Sequence, residues 1–273
     1  MEAILHLRHT LRAFCILLLS AGLTTPHLAR AAEGDKLFTP EVGQAGRDVV
    51  WVPTPDVLVE KMLDVAKVTP QDFVMDLGSG DGRNIIAAAK RGARAVGVEF
   101  NADMVELSRR IAEKAGVADK AQFVQGDMYV ADISKATVLA LFLLPENMNK
   151  LQDKFLALKP GSRIVSNHFA VSGWEADESG RADGDCGSWC TWLLFIVPAQ
   201  AQGRWRMQNG ELNLEQKFQM LTGNYTVDGA VTPISNGRLL GDQITFNVGD
   251  KTYTGRVGDD TLASSGWNAT RVK

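Results

Sequence analysis

Apolar residues between positions 44 and 200 occur in short continuous runs that alternate with stretches of helical periodicity. Continuous apolar runs of this kind are typical of buried parallel strands, and apolar residues three or four positions apart are typical of helices that cover a sheet. The alternation predicts an α/β fold with a doubly wound, Rossmann-like sheet. The predicted strands cover residues 73–77, 95–99, 121–125, 137–144, 163–167 and 189–197.

The predicted helices have recognisable starting signals. Thr54 is expected to cap the first helix, with Pro55 at its first position, and Asn101 is expected to cap a helix that runs to residue 115. Two further helices are predicted over residues 85–91 and 150–158.

After residue 200 the pattern changes to short alternating strands separated by glycine turns. Hairpin turns are predicted at Asn209–Gly210, Asp228–Gly229 and Asn236–Gly237. We therefore divide the chain into an α/β domain over 44–200 and a small C-terminal antiparallel β-meander over 203–273. The meander carries no cluster of catalytic residue types, so we expect it to be structural or to cover the substrate.

Residues 1–31 resemble a secretory signal peptide. Arg8 and Arg12 precede an apolar run over 13–23, and small residues follow at 29–31. The run is shorter than the roughly 20 residues that span a bilayer. We expect cleavage before Ala32 and a periplasmic or secreted protein, with anchoring in the membrane by this segment as the alternative.

The cysteine and histidine content of the remaining chain is small. Cys186 and Cys190 form an even pair, which in an oxidising compartment favours a disulfide over two reduced thiols. His168 is the one histidine after residue 31, which argues against a histidine-based zinc site, and no metal is expected.

The charge balance argues against nucleic acid as a partner. The chain has 29 Lys and Arg against 32 Asp and Glu, a net charge of −3. Binding to phosphates requires a local excess of basic residues.

The strongest chemical signal is a glycine-rich turn after the first predicted strand. Asp76 ends this strand and Gly78, Gly80 and Gly82 follow, in a G-x-G-x-G spacing that lets a ligand approach the backbone closely. The spacing differs from the G-x-G-x-x-G of dinucleotide sites, and no P-loop lysine follows. The acids in and before the turn favour a cationic ligand.

Two further strands end in residues suited to an adenosyl group. Glu99 ends the second strand, where an acid can accept hydrogen bonds from both ribose hydroxyls. Asp127 and Met128 follow the third strand, where the carboxylate can accept an adenine amino proton and the thioether can cover the ring.

The motifs DLGSGDG, VGVEFN and FVQGDM, in this order, resemble those of class I S-adenosylmethionine-dependent methyltransferases. The resemblance covers about residues 50–200. It implies that S-adenosyl-L-methionine is the cofactor and that it is bound by Asp76, Gly78, Ser79, Gly80, Asp81, Glu99, Asp127 and Met128.

More narrowly, the chain resembles the branch of mitochondrial lysine methyltransferases that act on the ATP-synthase c subunit and the adenine nucleotide translocase, and their exported bacterial relatives. The segments that carry this likeness are WVPTP at 51–55, DLGSGDGR at 76–83, LLP at 143–145 and IVS at 164–166. The resemblance implies transfer of a methyl group to a protein lysine or another amine, including that of a small molecule.

The catalytic position departs from the Asp/Asn-Pro-Pro-aromatic motif of many class I enzymes, because Leu144-Pro145-Glu146-Asn147 stands there instead. Glu146 is the candidate for orienting or deprotonating the amine, and Asn147 for donating a hydrogen bond. A helix start, with Glu146 chosen for the helix dipole, is the alternative interpretation.

Three hypotheses follow for the whole protein. It is an active methyltransferase outside the inner membrane, or an active enzyme that stays cytosolic or anchored. The third is a catalytically inactive methyltransferase fold that serves as a ligand-binding or interaction module in the periplasm. The acceptor and the oligomeric state are not determined by the sequence.

Overall fold

The computed structural model describes residues 38–273. The predicted signal peptide over 1–31 lies outside the described residues. The division of the remaining chain at about residue 200 stays a prediction.

The α/β part of the described chain contains four helices and seven strands. The helices are α1 (Asp56–Val65), α2 (Arg83–Lys90), α3 (Ala102–Lys114) and α4 (Pro145–Leu156). The strands are β1 (Phe73–Leu77), β2 (Arg94–Glu99), β3 (Ala121–Gln125), β4 (Val138–Leu141), β5 (Arg163–Asn167), β6 (Glu178–Arg181) and β7 (Thr191–Ile196).

The sheet has the order β3-β2-β1-β4-β5-β7-β6. The first five strands are parallel, whereas β7 runs antiparallel to β5 and to β6. The order reverses between β1 and β4, and ligands of such sheets bind at the carboxyl ends of the strands beside that reversal. The Rossmann-like fold is thereby confirmed, with the antiparallel strand β7 inserted between β5 and β6 at one edge, which the prediction of a parallel sheet lacked.

Alternate strand residues point to opposite sides of the sheet, and helices pack on both of its faces. Val74, for example, joins a core cluster with α1 and α2, while Met75 joins a second cluster with Leu151 and Phe155 of α4. The continuous apolar runs seen in the sequence reflect this burial on both sides.

Several element boundaries differ from the prediction. Thr54 makes no capping bond, because the N-cap position of α1 falls on Pro55. Helix α4 begins at Pro145 rather than at residue 150, and β4 ends at Leu141 rather than at 144. The Asn101 cap is confirmed, since its side chain accepts hydrogen bonds from the backbone of Asp103 and Met104.

The C-terminal meander closes on itself. Its eight strands form a closed barrel in which β15 pairs with β8. The strands are β8 (Gly203–Met207), β9 (Gly210–Lys217), β10 (Met220–Val227), β11 (Ala230–Leu240), β12 (Gln243–Val248), β13 (Lys251–Val257), β14 (Thr261–Ala263) and β15 (Asn268–Arg271). Trp205 and Phe246 are fully buried inside it, and closure leaves no unpaired edge.

One of the three predicted hairpin turns stands as predicted. Asp228–Gly229 connects β10 to β11, with both residues at positive φ. The turn between β8 and β9 falls at residues 208–209, one position early. Asn236–Gly237 is no turn, because it lies inside β11 at a register shift, where Asn236 takes a φ of 50°. A bulge and a turn use the same residues, so the sequence signal is ambiguous there.

Within residues 38–273, no helix has the length and apolar content that crossing a membrane requires.

Candidate functional site

The glycine turn connects β1 to α2 in a conformation that only glycine adopts easily. Gly78, Gly80 and Gly82 have φ angles of 75°, 55° and 80°. A Cβ atom on Gly80 would lie 2.7 Å from Nε1 of Trp51. The sequence therefore needs glycine here for the backbone path and for the close approach of Trp51.

Glu99 binds the backbone of that turn. One carboxylate oxygen accepts a hydrogen bond from the Gly80 N–H at 2.9 Å, and the other accepts one from the Asn101 N–H at 2.9 Å. An ionised carboxylate has about four acceptor positions, so capacity for two ligand hydroxyls remains. The half-buried carboxylate is thus fixed in place at the end of β2.

Asp76 is buried beneath the turn and accepts a hydrogen bond from the Asn84 side chain at 2.9 Å. Burial raises the pKa of Asp76 well above its usual range, and the nearby charges of Glu99 and Asp81 also raise it. A cationic ligand beside this carboxyl group would favour its ionised form.

Asp81 forms a bidentate ion pair with Arg83, whose Nη2 donates to Oδ2 at 2.6 Å and whose Nε donates to Oδ1 at 3.0 Å. The same guanidinium donates to the Thr54 carbonyl oxygen at 2.6 Å. Asp81 lines the cleft, and through Arg83 it also holds the segment before α1 against the glycine turn.

Ser79 turns towards the sheet. A Cβ on Gly97 would lie 2.5 Å from the Ser79 Oγ, which is buried and has no hydrogen-bond partner among the described residues. Ser79 lines the cleft beside Asp76, while its hydroxyl is buried against Gly97 of β2.

Asp127 stands at the other end of the cleft. It accepts hydrogen bonds from the Tyr129 N–H at 2.8 Å and from Arg47 at 2.7 Å. These two bonds, the backbone one first, lower the pKa of Asp127. Arg47 also lies over the Phe100 ring at 4.6 Å, and Met128 is buried in the wall beside Asp127.

The cleft runs along the carboxyl edge of the sheet in two joined parts that share Trp51, Val52, Gly78 and Phe142. One part holds the glycine turn with Asp76, and the other holds Glu99 and Asp127. Residues 44–52 form one wall. Residues 44–50 carry no motif, so their place at the cleft was not predicted.

The structure places the two candidate catalytic residues, Glu146 and Asn147, in different surroundings. Glu146 is exposed in the first turn of α4, directly after Pro145 at the helix start. Asn147 is 3% exposed and donates a hydrogen bond to the Tyr129 hydroxyl at 2.7 Å. Neither residue lines the two parts of the cleft, so their catalytic roles stay predictions.

The cleft suits an adenosyl ligand with a charged amino-acid tail. Glu99 can accept ribose hydroxyls, Asp127 an adenine amino group, and the turn at Gly78–Gly80 leaves room for the tail beside Asp76. Within residues 38–273, no group of three or more His, Cys, Asp and Glu side chains is arranged to hold a metal ion.

The chain is similar to known proteins in both sequence and fold. Residues 76–178 match the family model described as the ANTKMT methyltransferase domain. The structure of an RNA methyltransferase from Salinibacter ruber in complex with S-adenosyl-L-homocysteine is 43% identical, with a TM-score of 0.51, and covers 55% of this chain and 95% of that one. The fold, the cleft and these matches define an S-adenosylmethionine-dependent methyltransferase.

Several lysine N-methyltransferases are similar to this chain in sequence. A protein-lysine N-methyltransferase of Saccharolobus islandicus (strain REY15A) is 45% identical over 133 residues, 48% of this chain and 83% of that protein. The lysine N-methyltransferase of Rattus norvegicus that is named for the C subunit of ATP synthase is 33% identical, over 61% of this chain and 76% of its own length. For the Mus musculus enzyme with the same name, 35% identical, the shares are 52% and 58%. The chain belongs to the family of these lysine N-methyltransferases.

Proposed function

We propose that this enzyme transfers the methyl group of S-adenosylmethionine to the ε-amino group of a protein lysine. The observation that carries the proposal is the 45% identity to the archaeal protein-lysine N-methyltransferase over 83% of that protein. The cleft at the carboxyl edge of the sheet supports it, because its acids and glycines lie where an adenosyl cofactor needs them.

The protein has to position the acceptor and the cofactor more than it has to activate the methyl group. When bound, S-adenosylmethionine supplies an activated methyl group, whose transfer forms a C–N bond as the S–CH3 bond breaks, leaving S-adenosylhomocysteine and one proton. Glu99 and Asp127 would hold the ribose and the adenine, while Trp51 and Phe142 exclude water from the cleft.

The acceptor lysine must lose a proton before it can react. Its ordinary pKa is about 10.4, and transfer into an apolar surrounding lowers that value. The rings near Phe142 provide such a surrounding. Glu146 remains the candidate for accepting the proton, since it is exposed at the start of α4, directly after the chain leaves β4.

The acceptor class can be tested directly. Purified protein is incubated with methyl-labelled S-adenosylmethionine and, in parallel, with lysine-rich protein or with total RNA. We expect label on protein, located on lysine by mass spectrometry, because the acidic charge balance disfavours RNA. Label on RNA alone, or no label while the cofactor binds, would contradict the proposal.

We also propose that the enzyme is exported by its N-terminal segment. The basic, apolar and small-residue pattern over 1–31 supports this, and so does the pairing of Cys186 with Cys190, since disulfides persist in oxidising compartments. N-terminal sequencing of protein from cell fractions should give a start near Ala32 in the periplasm. Intact protein in the cytosol or retained in the membrane would contradict export with cleavage.

A further inference from the structure

Four aromatic rings meet at the carboxyl edge of the sheet beside the cofactor cleft. The Trp189 ring centroid lies 5.2 Å from that of Phe142, 5.3 Å from that of His168 and 6.0 Å from that of Phe169. His168 and Phe169 are 4.9 Å apart, and Phe142 and Phe169 are 6.2 Å apart. We call these four residues the aromatic wall.

The aromatic wall is continuous with the cofactor cleft. Phe142, which follows β4, lines both parts of the cleft and touches Trp189 on its other side. His168 and Phe169 follow β5, and Trp189 precedes the antiparallel β7. The His168 N–H donates to the Thr191 carbonyl oxygen at 2.9 Å, which ties the two segments together.

The wall is exposed and locally strained. His168 is exposed and the other three rings are half-buried. His168 has a φ of 66°, and the Phe169 N–H donates to the Asn167 carbonyl oxygen at 2.7 Å across it. Backbone of this kind in a non-glycine residue costs free energy and concentrates at functional sites.

A fully buried amide lies directly beside this turn. Neither side-chain atom of Asn167 has a hydrogen-bond partner among the described residues. Buried amides are nearly always hydrogen-bonded, so the Asn167 side chain has unused capacity for a polar partner.

The Trp189 ring belongs to a short loop that is closed by a disulfide. Cys186 and Cys190 are bonded, and the Trp189 N–H donates to the Cys186 carbonyl oxygen at 3.0 Å inside the five-residue loop. The loop lies beyond residues 76–178 that match the family model. Exposed Asp183 and Asp185 lie just before it and add negative charge.

We propose that the aromatic wall binds the acceptor's ammonium group, and that the Cys186–Cys190 disulfide positions Trp189 to complete it. This rests on the proposed lysine acceptor. The wall adjoins the cleft, a cation is attracted by the faces of aromatic rings, and the neighbouring acids complement a basic acceptor segment.

The proposal also predicts repeated methylation of one lysine. Each added methyl group removes a hydrogen-bond donor from the nitrogen, whereas the positive charge of the methylated product remains. Aromatic faces bind such methylated ammonium groups well. The mono- and dimethylated products are therefore retained for another round.

The first test replaces one ring. Trp189→Leu is compared with wild type on poly-L-lysine, with Trp267→Leu as control, because Trp267 is a half-buried tryptophan that packs on Phe246 and Tyr253 of the barrel and does not line the cleft. We expect the acceptor KM to rise about 3- to 30-fold, the range of one cation–π contact. Mass spectrometry should show a shift to monomethyl-lysine, while S-adenosylhomocysteine affinity stays at the wild-type value.

The second test addresses the disulfide. Cys186→Ser/Cys190→Ser should raise the acceptor KM in the same direction, and adding Trp189→Leu to that background should raise it by less than in wild type, because the two changes act on one contact. Reductant should affect wild type and leave the double serine variant unchanged. Full additivity would overturn the positioning role of the disulfide.

The outcomes separate this proposal from the proposed function. Wild type that labels no lysine contradicts the lysine acceptor itself. Wild type that labels lysine, with Trp189→Leu unchanged in KM and methylation state, overturns the aromatic wall alone. Loss of cofactor affinity in Trp189→Leu, but not in Trp267→Leu, also overturns it, because the ring would then support the cofactor cleft.

Discussion

At the scale of single residues, the cofactor cleft places chemically similar carboxyl groups in unlike surroundings. Asp76 is 3% exposed and its pKa is raised by burial. Asp127 is half-buried, and hydrogen bonds lower its pKa. Glu99 receives two backbone N–H bonds. The carboxyl groups of these Asp and Glu residues therefore differ in pKa and in hydrogen-bond partners according to their position.

Glu99→Ala should weaken S-adenosylhomocysteine binding by about 1–3 kcal/mol, because the ligand hydroxyls lose an ionised acceptor in a partly buried site. Isothermal titration calorimetry measures the change. Glu106→Ala, at an exposed position on α3, is the matched control and should leave the affinity unaltered. Equal affinities for Glu99→Ala and wild type would show that the ribose is held elsewhere.

Asp76→Asn should stabilise the cofactor-free protein at alkaline pH. Because the folded-state pKa of Asp76 is raised, the folded state holds a proton that the unfolded state releases, so stability falls as pH rises from the ordinary value of 3.8 through the folded pKa. Asparagine avoids that loss. We expect a higher Tm than wild type at pH 8, by about 2–4 °C for each kcal/mol gained.

The gap in Tm between Asp76→Asn and wild type should close at acidic pH, where both side chains are uncharged. The same variant should bind the cofactor more weakly, since it cannot ionise beside the ligand's positive charge. A variant less stable than wild type at pH 8 would contradict the assignment of the burial cost to Asp76.

At the scale of elements, residues 44–51 form a loop that closes one side of the cleft. The Gly43 N–H donates to the Trp51 carbonyl oxygen and the Trp51 N–H to that of Gln44, which fixes the loop's base. Arg47 at its tip reaches Asp127 and lies over Phe100. The loop therefore covers the Asp127 end of the cleft.

Arg47→Ala should speed dissociation of S-adenosylhomocysteine several-fold, because the loop tip loses both of its contacts across the cleft. Stopped-flow fluorescence follows the release. Arg47→Lys keeps the charge but not the planar stacking, so it should fall between wild type and alanine. An unchanged release rate in both variants would mean that the loop does not gate the site.

At the scale of the whole molecule, the C-terminal barrel contacts the α/β part of the chain through a ring stack and an ion pair. Phe218 of the barrel stacks on Trp174 with the ring centroids 5.2 Å apart. Arg238 donates to Asp177 at 2.7 Å, and the side chain of Asp177 is only 4% exposed. The barrel is therefore part of the packed structure that supports the β5–β7 edge, next to the aromatic wall.

Arg238→Ala should lower the free energy of unfolding by about 1–3 kcal/mol, because it leaves a buried carboxylate with one partner fewer. Arg256→Ala removes an ion pair with Asp242 that is exposed on both sides, and should cost at most about 1 kcal/mol. Urea unfolding of the two variants gives the comparison. Equal losses would mean that the barrel contributes no stabilising contact through Asp177.

That the predicted cofactor residues lie close together could be read from the sequence for a simple reason. Glu99 and Asp127 each follow a strand directly, and the carboxyl ends of parallel strands meet at one edge. Local rules therefore placed these side chains and the glycine turn together. The Asn101 cap and the Asp228–Gly229 turn were likewise local and predicted correctly.

Tertiary structure alone decided what depends on contacts between distant residues. Arg47 and Asp127 are 80 positions apart, and β15 closes the barrel on β8 across some 60 residues. Trp189 meets Phe142 only because β7 is inserted antiparallel beside β5. Periodicity and turn chemistry describe neighbours along the chain, so they specify the strands and the residues that directly follow them. The loop over the cleft, the closed barrel and the aromatic wall arise from how those elements pack.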